Sequence, residues 1–167
     1  AMVDGNRMRE LGAAQVDAES YFRFADPVWG ENRRAALLVR MGRTTEALES
    51  ARSVESKIGK LVPVSGFEKT SHRGLIQGNL RTQTIACLAL RRWADAAKAA
   101  RELVSGRPSL DDTSIDALDQ LAGDRALAAV AVARAGAAAE AHVFLEQAEE
   151  FNRPSRAAGA NDHASRA

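Results

Sequence analysis

Three histidines, one cysteine and a short aspartate series are the side chains of this sequence best suited to catalysis or metal binding. His72, His142 and His163 have no second ligand three or four residues away. That spacing would bring two donors to one helix face, so no metal is expected. Cys87 stands beside Leu88 in an apolar stretch, and its thiol is expected to be buried and inert. A single cysteine cannot form an internal disulfide, and nothing points to an oxidising compartment. Asp112, Asp116 and Asp119 fall on one helix face. They could hold a divalent cation, but aspartates near a helix N-terminus are also favoured by its dipole, and a solvated face is the simpler reading. Gly66, Gly74 and Gly78 lack the lysine and the preceding strand of a phosphate loop. No serine sits in a glycine elbow. These residues support neither an enzyme nor a cofactor.

The arginines are more informative. Arg40, Arg43, Arg91, Arg92 and Arg134 all fall where one helical segment gives way to the next. On one reading they form a stripe that meets an acidic partner, protein or nucleic acid. On the other, they complement helix dipoles and solvate helix ends. The 23 basic and 22 acidic residues leave a net charge of +1, which argues against a general binder of nucleic acid or membrane surfaces.

The elements that must position these groups are helical. Of the 167 residues, 46% are hydrophobic, mostly Ala and Leu, and only 5% are aromatic; this favours helix over strand. Met8, Leu11, Ala18 and Phe22 mark a first helix over about 7–24, with Gln15 as its polar exception. Asp26-Pro27 reads as the start of a second, ending near Met41 and Gly42. Ala47, Ala51, Val54, Ile58 and Leu61 give a third. A loop is expected from Val62 to Arg73. A fourth helix carries Leu75, Ile76, Leu80, Ile85, Leu88 and Leu90, and a fifth carries Trp93 to Val104. Ser105 to Pro108 breaks the chain, and Thr113 with Asp116 resembles a capping box for a sixth helix through Ile115 and Val130. Gly136 separates a seventh, from Ala141 to Phe151. No apolar run is long enough to span a membrane. Ala1-Met2-Val3-Asp4 does not read as a signal peptide, and the Ala before Met2 reads as a cloning remnant.

Three segments repeat one pattern. Leu37 to Leu48, Leu88 to Ala97 and Val132 to Ala141 each contain an apolar helix end, a basic or glycine turn, and an acidic residue followed at once by alanine. The equivalent turn residues Gly42, Arg91 and Gly136 are 49 and 45 residues apart. This pattern resembles the tetratricopeptide repeat. Gly42 and Gly136 match its turn glycine, Trp93 its aromatic, Ala47, Ala96 and Ala141 its small residue, and Pro108 its closing proline. The spacing exceeds the family period of about 34 residues, Arg91 replaces one glycine, and the aromatics before the turn are absent.

The resemblance implies an all-α, right-handed stack of antiparallel helical hairpins with about seven helices. The expected organisation is an N-terminal helix over 1–25, three hairpins over 26–154 and a flexible polar tail over 155–167. It also implies a protein-interaction scaffold or regulatory module, cytoplasmic and bacterial-like in its Ala/Arg-rich composition, that binds another protein or peptide. Its concave face would be lined by the first helix of each hairpin, where Asn32, Arg33, Asn79, Arg81 and Arg125 fall. The alternatives are a nucleic-acid-binding array that uses the turn arginines, and a homodimer formed through the last helix, where Val143 and Phe144 cannot both face a core. Trp29 is either a staple for the first helix or an exposed anchor.

Overall fold

The computed structural model describes residues 4–105 and 114–164, with side chains for 21–105, 114 and 116–153. Six helices are present among the described residues: α1 (Asp4–Arg40), α2 (Thr44–Ile58), α3 (Gly66–Ala89), α4 (Trp93–Val104), α5 (Ile115–Arg134) and α6 (Ala138–Ala164). There is no strand among them. Among the described residues no helix is long and apolar enough to cross a membrane. The chain divides into two compact units, Ala1–Thr82 and Gln83–Ala167, with the division inside α3.

The count is six rather than about seven because the first two expected helices are one. Asp26-Pro27 does not start a helix; Pro27 lies inside α1. An internal proline removes one backbone hydrogen bond and tends to kink a helix. Here a single stripe passes through it without a change of phase: Tyr21, Ala25, Val28, Asn32, Ala35 and Leu38 are all buried. Spacings of three and four on both sides of Pro27 keep one face on the core, and burial of that face outweighs the local signal.

Unit 1 packs α1 on α2. Val28, Val54, Ile58 and Leu75 form its core, with Trp29 and Leu61 against it. Trp29 is therefore a packing residue, next to Gly74. The expected loop over Val62 to Arg73 is shorter, because α3 begins at Gly66. Ser65 and Glu68 form a capping box. The Ser65 hydroxyl accepts from the Glu68 amide at 3.2 Å, and the Glu68 carboxylate accepts from the amides of Ser65 at 3.2 Å and Val64 at 2.6 Å. Glu68 is only 1% exposed. The Val64 amide bond, the largest influence, holds its carboxyl below the usual range.

Unit 2 packs α5 against both α4 and α6. The buried face of α4 is Ala96, Ala97, Ala99, Ala100, Leu103 and Val104. Four alanines there let a neighbouring helix approach closely. Ala97, Ala129, Val132 and Ala141 make one cluster, and Leu118, Ala122 and Phe151 another. Helix α5 is capped by Ser114, whose hydroxyl accepts from the Ala117 amide; Thr113, expected in that role, lies outside the described residues. Helix α6 continues through Pro154 to Ala164, across most of the stretch read as a polar tail.

Candidate functional site

Three helix ends share one backbone geometry. The amide of Gly42 donates to Val39 O, and that of Arg43 to Leu38 O. Arg91 and Arg92 donate to Leu88 O and Cys87 O in the same way, and Gly136 and Ala137 to Ala133 O and Val132 O. Each is the paired-bond motif that ends a helix with one left-handed residue. That residue is Gly42 (φ +75°), Arg91 (φ +56°) and Gly136 (φ +91°). The carbonyl of the next residue then accepts the first bond of the following helix, from Ala47, Ala96 and Ala141. All three alanines are buried. The similarity seen in the sequence is thus a similarity of turns, and Arg91 takes a glycine's conformation.

The acidic residue before each alanine has an arginine partner. Arg43 holds Glu46 through two bonds of 2.7 and 2.5 Å. Arg92 pairs with Asp95. At the third turn the position of those arginines is Ala137, and Glu140 is held instead by Arg101 of α4, at 2.8 and 2.6 Å. The hydrogen bonds from the guanidinium groups lower the Glu46 and Glu140 carboxyls, and the same bonds raise Arg43 and Arg101. Arg43 and Arg92 therefore support their own turns. Arg40 is exposed.

Arg91 and Arg134 are placed differently. Both line an open groove of about 650 Å³ in unit 2, with Ile85, Leu88 and Ala89 of α3, Trp93 of α4 and Val130 of α5. Val130 is 50% exposed and Ile85 36%, so the groove presents apolar side chains to solvent. The Arg134 guanidinium lies over the Trp93 ring, 5.9 Å from its centroid. Trp93 is half-buried and forms a wall of the groove. Among the described residues, none that lines it is acidic. The apolar members Ile85, Leu88 and Val130 were not legible as site residues, because their spacing is that of any helix core.

The residues expected on a concave face are mostly used inside the units. Asn79 is buried and donates to Ala51 O at 3.0 Å. Asn32 is buried, donates to Leu75 O at 3.4 Å, and its Oδ1 has no partner among the described residues. Arg125, 2% exposed, donates to Gln147 at 3.0 Å and stacks over Phe151 at 4.7 Å. Arg81 is half-buried, and Arg33 is exposed. Burial of Asn32, Asn79 and Arg125 follows from their places on the core-facing stripes, which their polarity conceals in the sequence.

The remaining chemistry-bearing residues are dispersed. His72 accepts or donates at Tyr21 across 3.3 Å, and burial pushes its imidazole down. His142 faces Glu146 one turn on. Cys87 is buried and unbonded to another sulfur. Asp116 and Asp119 are exposed, and Asp112 lies outside the described residues. Among the described residues no group of three His, Cys, Asp or Glu side chains could hold a metal. Val62, Val64 and Phe67 are exposed at and just after the α2–α3 connection, with the Phe22 ring 5.7 Å from that of Phe67. Comparison with protein-family models, with curated proteins and with solved structures returns no match.

Proposed function

We propose that this chain is a non-catalytic, cytoplasmic interaction module of helical-repeat type, and that it holds a segment of another protein in the groove of unit 2. The observation that carries this reading is the groove itself: five apolar residues, of which Ile85, Ala89 and Val130 are exposed and Leu88 and Trp93 half-buried, bordered by two arginines. Apolar side chains lining a concavity can be covered by an occupant, and a few charged groups at its edge fix orientation. The finer architecture, a right-handed stack of three tetratricopeptide-like hairpins, is supported by the three matching turns and their buried alanines.

The test uses isotope-labelled protein and synthetic peptides rich in Leu and Phe. Amide shifts confined to Ile85–Trp93 and Val130–Arg134, lost in Val130→Glu, are expected. Shifts spread over both units, or unchanged by Val130→Glu, would reject the groove. A homodimer is the second reading, favoured by Val143 and Leu145, each 47% exposed on α6. Light scattering of the wild type and Val143→Glu decides it.

A further inference from the structure

We infer that Arg91 is an anion-recognition residue, kept at a strained backbone position to set its guanidinium beside the groove, and that the segment held there is acidic as well as apolar. The inference rests on the groove reading and deepens it.

The chain contains its own control. Three turns have the same pair of backbone hydrogen bonds, and in each the fifth residue has a positive φ. A side chain at that φ crowds the following carbonyl, which glycine avoids. Two of the turns have glycine. The one turn whose left-handed residue itself lines the groove has arginine there; the Gly136 turn reaches the groove only through Arg134. The reason does not lie in the turn, because Gly42 and Gly136 make the same bonds. Nor does Arg91 supply the local ion pair of its turn, because Arg92 does so with Asp95. What Arg91 adds is an exposed cationic side chain in the groove lining. Strain of this kind persists where function requires it.

Charge selects the occupant. Among the described residues, Arg91 and Arg134 are the only charged ones in the groove lining, and both are positive. Arg134 is already held against the Trp93 ring, which orients its charge. Two guanidinium groups at the edge of an apolar floor complement a peptide that alternates carboxylates with Leu or Phe side chains.

Two fluorescein-labelled peptide pools test this, one restricted to Asp, Glu, Leu and Phe and one to Asn, Gln, Leu and Phe. Anisotropy is measured with wild type, Arg91→Gly, Arg91→Lys and Val130→Glu, beside thermal unfolding of each. Arg91→Gly is expected to raise the unfolding midpoint and weaken the acidic pool roughly tenfold or more, as loss of a charge-assisted bond does. Its affinity for the neutral pool should not change. Arg91→Lys should retain part of the acidic preference. Equal affinity of wild type and Arg91→Gly for the acidic pool overturns the inference, as does a lowered midpoint in Arg91→Gly. Val130-dependent binding of both pools without acidic preference overturns it too, while leaving the groove reading intact. Binding of neither pool removes both. Arg91-dependent binding of mixed-sequence single-stranded DNA in place of the acidic pool replaces peptide with nucleic acid.

Discussion

Four glycines offer a test in which one chemical change has opposite signs. Gly30 in α1 and Gly123 in α5 lie inside helices; Gly42 and Gly136 lie in turns at positive φ. An added Cβ would meet nothing within 4 Å at any of the four. Packing therefore contributes nothing, and the backbone dihedral alone sets the outcome. Gly30→Ala and Gly123→Ala should stabilise by roughly 0.5–1 kcal/mol, the helix preference of Ala over Gly. Gly42→Ala and Gly136→Ala incur roughly 1–2 kcal/mol of left-handed strain. Reduced freedom of the unfolded chain returns about 0.4–1 kcal/mol of that, so a net destabilisation of up to roughly 1.6 kcal/mol, centred on about 0.8 kcal/mol, is expected. Each unit contains one member of each kind, Gly30 with Gly42 and Gly123 with Gly136. Urea unfolding followed by helical circular dichroism reads the four midpoints. The reasoning is refuted if Gly136→Ala and Gly123→Ala shift their midpoint in the same direction.

Other expectations follow from the same packing. Ala96→Leu fills a site with no exposed surface and should cost about 1–3 kcal/mol by overpacking, measured in the same unfolding assay. Arg125→Met removes a hydrogen bond to Gln147 and the stacking on Phe151, a loss of about 2–3 kcal/mol by the same readout. Acid should weaken unit 1 in two stages. His72, lowered by burial, and Glu68, lowered chiefly by the Val64 amide, both have depressed folded values. Each contributes stability that is present above its unfolded value and lost as pH falls through the folded one. The loss should begin below the ordinary 6.5 of histidine and continue below the 4.5 of glutamate. Midpoints against pH should lose the lower stage in Glu68→Gln and the upper in His72→Gln. Finally, Val130→Glu, at a half-exposed position, should leave the midpoint within about 0.5 kcal/mol of wild type.

Much of the helical pattern was legible because apolar residues recur at three and four. Ala47, Ala51, Val54 and Ile58 mark α2, and all are buried. The turn at Arg91 was legible too, through comparison with Gly42 and Gly136. Pro27 misled, because a local start signal competes with a stripe that only tertiary contacts reward. Ser65-Gly66-Phe67-Glu68 carried a capping box that places the start of α3, yet the nearby Pro63 and glycines made the segment read as loop. The site was harder. Arg91 and Arg134 drew notice by charge and position. Ile85, Leu88 and Val130 did not, because sequence periodicity cannot tell an apolar face covered by a neighbour from one left open. Arg125 and Asn79 read as surface groups, since polarity in a sequence does not reveal a buried partner.

The pairing of Glu140 with Arg101 alters how separable the helices of unit 2 are. The turns at Arg43 and Arg92 each carry both halves of their ion pair three residues apart, so a gene duplication copying either turn would copy its electrostatics intact. The turn before α6 does not: its glutamate borrows a guanidinium from α4, 39 residues upstream. A recombination that moved α5 and α6 alone would leave that carboxylate behind its partner. Helices α5 and α6 are therefore not electrostatically self-contained, because their turn takes its cation from α4.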